Sequence, residues 1–168
     1  MRRAPLRRAA AAAALVLASA VLASAPTHAA DAAPPAYDDG AAAFQANCVV
    51  CHGAGGVGTP ALAPPLTSYP ARYAQSPAGR RQLANTLLYG MFGDITVDGR
   101  SYSFKMPDFA RLDDATLAAV LNYVVFDLGH APADVKPLAP ADISAARAQA
   151  LDGAAVREQR KSLVPGGN

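Results

Sequence analysis

Two cysteines stand three positions apart with a histidine directly behind the second, Cys48-Val49-Val50-Cys51-His52. Thiols at that spacing on a helical turn point the same way and can add to the two vinyl groups of one porphyrin. His52 then falls beneath the iron as its proximal ligand, and C-x-x-C-H is the sequence signature of covalent c-type haem attachment. The expected cofactor is therefore one haem c, held through Cys48 and Cys51. Other chemistries fit less well. A thioredoxin-like C-x-x-C closes a strand and opens a helix of a βαβ unit, and no such strands are readable here. Zinc needs a fourth ligand, but His28 lies in a segment expected to be removed and His130 is far along the chain. A structural disulfide leaves the histidine, and the Gly-rich loop after it, without a role.

A six-coordinate electron carrier needs a second axial ligand, and Met/His ligation is a common solution. Beyond Met1 the methionines are Met91 and Met106. Met91 follows a helix-ending glycine and suits a gap-filling core role. Met106 precedes Pro107 in the irregular run Phe104-Lys105-Met106-Pro107-Asp108-Phe109, where proline restricts it to extended backbone. Met106 is the expected distal ligand, with Met91, Lys105 and His130 as the other candidates by ligand type.

Several elements must position these groups. Asp38 or Asp39 can cap a helix running through Phe44 towards Cys48. The Gly/Pro-rich stretch from Gly53 to Pro70 reads as a loop wrapped around something. Ser76-Pro77 opens a helix whose apolar stripe is Leu83, Leu87 and Leu88, and Gly90 stops it. Asp98-Gly99 sits between β-prone residues and predicts a short hairpin over 95–102. Asp113 or Asp114 caps a helix carrying Leu117, Val120, Leu121, Val124 and Leu128 at helical spacing, ended by Gly129. Pro132, Pro137 and Pro140 mark a linker, and 142–150 and 153–162 read as short amphipathic helices with little to bury.

The chain has 168 residues, 41 of them alanine, no tryptophan and 17% charged residues. Four of its fifteen cations, Arg2, Arg3, Arg7 and Arg8, head an apolar run from Ala9 to Ala25 followed by small residues. This reads as a secretory signal peptide cleaved after Ala29, too short and Ala-rich for a membrane anchor. Without those four arginines, 11 cations face 13 anions, which argues against nucleic-acid binding. The expected organisation is a signal peptide over 1–29, a linker over 30–36, a haem domain over 37–130 and a Pro-rich, helical tail over 131–168. A domain of that size is marginal on apolar burial alone, so a cofactor must complete its core.

Over about 37–130 the chain strongly resembles the class I c-type cytochrome family. Gly40, Phe44 and Cys48 follow the spacing of that family's N-terminal helix. Pro64-Pro65-Leu66 matches its P-x-L segment, and Tyr102, Met106 and Pro107 match its methionine-ligand region. The resemblance implies a small all-α fold of three to four helices around one haem. It also puts on Pro64 the carbonyl that accepts the proximal imidazole proton. Val120 and Tyr123 fall where the family packs its last helix against the first, with Gly40 allowing close approach. Leu66, Leu83, Leu87, Phe109 and Val120 are expected to wall the haem.

With His52 and Met106 both on iron, no site remains for substrate. The expected function is a periplasmic carrier of single electrons between a donor and an acceptor redox protein, not an enzyme. It would be a monomer or part of a hetero-complex, with membrane contact only if the leader is retained. The alternative is a haem protein whose displaceable sixth ligand serves peroxidatic chemistry or ligand sensing. The tail carries Arg147, Arg157, Arg160 and Lys161 against Asp142, Asp152 and Glu158. That excess allows docking to a redox partner or a merely solvated tail. On either reading, truncation after Pro137 is expected to leave the visible spectrum intact.

Overall fold

A computed structural model describes residues 37–164, so the expected leader and linker lie outside the described residues. Helices dominate: α1 Asp38–Asn47, α2 Val49–His52, α3 Tyr69–Ala74, α4 Pro77–Tyr89, α5 Asp114–Asn122, α6 Pro140–Arg147 and α7 Gly153–Lys161. A π-helical stretch, Tyr123–Leu128, prolongs α5. The only sheet among the described residues is the antiparallel hairpin β1 Ile95–Val97 and β2 Arg100–Tyr102, with Ile95 opposite Tyr102. Its turn residues Asp98 and Gly99 have φ of 49° and 74°, the left-handed pair that a two-residue hairpin turn requires. The all-α expectation holds.

Local chemistry explains most boundaries. Ser76 Oγ accepts the Gly79 N–H at 3.0 Å, and Asp113 accepts the Thr116 N–H at 2.7 Å, capping α4 and α5. At α1 the expected Asp cap is absent. Tyr37 holds the cap position, and both aspartates lie in the first turn, where carboxylates favour the positive end of the helix dipole. Gly129 does not supply the left-handed stop expected after α5; its φ is −92°, and His130 takes that conformation at 49°. Helix α3 was not anticipated: its first two residues, Tyr69 and Pro70, close the expected Gly/Pro loop, and 71–74 were assigned to no element.

The core is built where α1 crosses α5. A Cβ on Gly40 would lie 2.2 Å from the Ala119 carbonyl oxygen, so only glycine permits this approach. Phe44, buried from α1, meets the Tyr123 ring at 5.5 Å between centroids. Leu83, Leu87 and Leu88 from α4 and Leu117, Val120, Leu121 and Val124 from the last core helix complete it.

The tail overturns its expectation. Leu138, Ile143, Ala146 and Val156 are all buried, the first three in the same cluster as Phe44 and Leu88. Asn122 fixes the tail's entry, donating to the Leu138 carbonyl at 3.0 Å and accepting its N–H at 2.7 Å. Few apolar residues serve this purpose, but they face inward. Pro140, expected in a linker, opens α6 at a position where its missing N–H costs nothing.

Candidate cofactor site

Helix α1 is capped by Cys48, whose N–H still bonds the Phe44 carbonyl at 2.8 Å; one further turn, α2, carries Cys51 and His52. Both cysteines are free thiols on the wall of a cavity of about 300 Å³, which His52, Pro64 and Met106 also line. The sequence-derived site residues are thus brought together around one space. That volume lies at the lower end of the range for small-molecule sites.

His52 is 7% exposed, and its Nδ1 lies 2.9 Å from the Pro64 carbonyl oxygen. A carbonyl can only accept, so Nδ1 carries the hydrogen and Nε2 keeps its lone pair. Burial lowers the imidazole pKa, and the Pro64 bond partly offsets this, leaving a neutral ring at neutral pH. The loop that brings Pro64 here turns on Gly58, at φ 81°, where a Cβ would lie 2.6 Å from Pro65 N. The Cys48 thiol is pushed up to about 11, by burial first and then by Cys51.

Met106 reaches the cavity from an extended segment paired with the residue after Gly90. Met91 N–H bonds the Met106 carbonyl at 3.1 Å, and Met106 N–H bonds that of Met91 at 2.8 Å. Met91 is buried, as a core residue would be, yet it lines the cavity too. Lys105 is also on the wall, with its ammonium 5.6 Å from the Phe92 ring centroid, whereas His130 is not. Of the expected wall residues, Leu83 and Phe109 face the cavity. Leu66, Leu87 and Val120 pack in the adjoining core instead. Several wall residues were not expected, among them Tyr69 and Tyr73 from α3 and Arg160, which α7 delivers from the tail.

This donor set suits haem. A neutral imidazole and a thioether can bind iron, two thiols stand at attachment spacing, and the remaining lining is largely apolar. The lining cations Lys105, Arg111 and Arg160 face no lining carboxylate, which suits a macrocycle bearing acids. Among the described residues no group of three or more His, Cys, Asp or Glu side chains could hold a bare metal ion. None of the described helices is long and apolar enough to cross a membrane.

The family model for cytochrome c matches residues 37–125. Cytochrome c-552 from Thermus thermophilus is 37% identical over 127 residues, covering 74% of this chain and 96% of that protein. A cytochrome c-552 from a designated strain of the same species is likewise 37% identical, with 74% and 85% covered. The C-x-x-C-H motif, the cavity that gathers its residues and this breadth of similarity together place the chain in the cytochrome c family, as a class I c-type cytochrome.

Proposed function

We propose that this protein is an exported, periplasmic mono-haem electron carrier that passes single electrons between two redox proteins. It would act alone or within a dehydrogenase, reductase or oxidase complex. A haem would be held through Cys48 and Cys51, with His52 and Met106 as ligands to its iron. When bound, the haem supplies one-electron Fe(II)/Fe(III) chemistry. The chain's own residues prepare for it. Pro64 fixes the His52 tautomer and ring orientation, and the Met106 thioether is a soft donor that favours the reduced state.

The observation that carries this reading is the His52 Nδ1 to Pro64 bond at 2.9 Å, made by a buried imidazole on a cavity that Met106 also lines. Acid–acetone extraction of the purified protein should leave the colour on the polypeptide; haem in the organic phase would defeat the attachment. Met106→Ala should abolish the weak long-wavelength sulfur-to-iron band and allow carbon monoxide to bind the reduced protein. Met91→Ala should keep the band and mainly reduce stability, by about 2–5 kcal/mol for a buried methionine. If the native protein binds carbon monoxide readily, the displaceable-ligand reading replaces the carrier.

A further inference from the structure

Arg160 is a cation in an unusual place. It is 5% exposed, lines the cavity, and comes from α7, beyond the residues that match the family model. Its hydrogen bond runs from Nη2 to the Thr96 carbonyl at 2.8 Å, one acceptor for a group with five donors. None of the ion pairs among the described residues includes it. Tyr69 and Tyr73, both on the cavity wall, feel its charge. Burial pushes their hydroxyl pKa values up and Arg160 pulls them back, so both stay neutral donors beside it. Lys105 and Arg111, the other cations of the lining, are exposed. A buried guanidinium without an anion is costly unless something in the cavity supplies one.

We propose that Arg160 is the buried counter-charge for a carboxylate of the bound cofactor, so that the C-terminal tail forms part of the haem site. The inference rests on the haem-carrier reading, since haem brings two carboxylates. Neighbouring contacts hold α7 where this requires. Arg157 Nε donates to the Asp94 carbonyl at 2.9 Å, and Phe92 N–H bonds the Gly153 carbonyl at 3.3 Å. Both contacts fall on the segment between Met91 and β1. With its carboxylate paired, the site is near neutral. Removing the guanidinium leaves an uncompensated negative charge that stabilises Fe(III).

The test is spectroelectrochemistry of the holoprotein. Arg160→Gln should lower the reduction potential by about tenfold in the redox equilibrium, about 59 mV for one electron, and Arg160→Lys should restore most of it. The shift should persist at high salt, because a buried pair is screened little. An unchanged potential in Arg160→Gln with its spectrum intact overturns the proposal. The wild-type protein provides a test that needs no variant to fold. With haem carrying carbon-13 in its carboxylates, infrared spectra should show one carboxylate still ionised below about pH 4, where a free carboxyl protonates. Both protonated at that pH overturns the assignment as well. Haem lost on acid–acetone extraction would instead defeat the carrier reading itself, a result distinct from an unmoved potential.

Discussion

Gly90 shows how one residue can place the proposed ligand Met106 from a distance along the chain. It ends α4 at φ 70° and ψ −168°, a region essentially reserved for glycine, and a Cβ there would lie 2.4 Å from the Met106 carbonyl oxygen. Alanine would carry about 1–3 kcal/mol of backbone strain and push away the extended segment that bears Met106. Gly90→Ala should therefore keep its covalent haem, lose the sulfur-to-iron band and gain carbon monoxide binding. An unaltered band would show that the Met106 segment is not braced against this turn. At this scale the residues proposed to attach haem are legible because their chemistry is written locally, in five consecutive positions. Pro64 came only through the family resemblance, twelve positions beyond His52. Met91 was half-read: burial was foreseen, but not its backbone pairing with Met106. Arg160 was illegible, because its cavity wall is assembled from α3, α4 and the hairpin region, and no spacing rule links them.

Among elements, the α1–α5 crossing depends on the absence of a side chain at Gly40. The Cβ of an alanine would sit 2.2 Å from the Ala119 carbonyl oxygen and 2.9 Å from the Tyr123 Cβ. Alanine gains up to about 1 kcal/mol in helix propensity, but forced overpacking costs about 1–3 kcal/mol and cannot relax easily against backbone. Gly40→Ala should thus lower the melting temperature, and Gly40→Val should lower it further; a rise with alanine would mean that the helices part freely. Elements with strong punctuation are readable from residue types alone: Ser76-Pro77 and Asp113 as starts, Gly90 as a stop, Asp98-Gly99 as a turn. Helix α3 escaped because it is short and begins inside a Gly/Pro-rich stretch. It carries Tyr69 and Tyr73 on the cavity wall, where tertiary burial rather than periodicity fixes the helix. Helices α6 and α7 were located to within a few residues. Their role was misread because Ile143, Ala146 and Val156 make a thin apolar face that looks insufficient in isolation.

For the whole molecule, the tail is the feature that the structure changes most. The four cations suggesting partner docking are engaged internally. Arg147 pairs with Asp114 at 2.8 Å and donates to the Ala110 and Leu112 carbonyls. Arg157 and Arg160 bond the Asp94 and Thr96 carbonyls, and Lys161 pairs with Glu158 at 2.9 Å. The Tyr89 hydroxyl lies within hydrogen-bond reach of the Ala146 and Arg147 carbonyls at the end of α6, and Gln82 donates to the Val156 carbonyl at 3.0 Å. Truncation after Pro137 would remove all of these partners together with buried Leu138, Ile143 and Val156. At about 1.5–3 kcal/mol for each such side chain, the apolar loss alone approaches the 5–15 kcal/mol by which domains are ordinarily stable. Asn122 would lose both of its hydrogen bonds to Leu138, each worth about 0.5–1.5 kcal/mol. The expectation of an intact spectrum is therefore reversed. With haem attached covalently as proposed, the truncated protein should keep it on Cys48 and Cys51. It should melt far below the full-length chain and lose the sulfur-to-iron band as the segment from Met91 to Met106 loses its support from α7. Thermal unfolding followed by circular dichroism, alongside the visible spectrum of the same sample, checks both. A truncated chain that keeps its melting temperature and its band would reduce the tail to surface decoration.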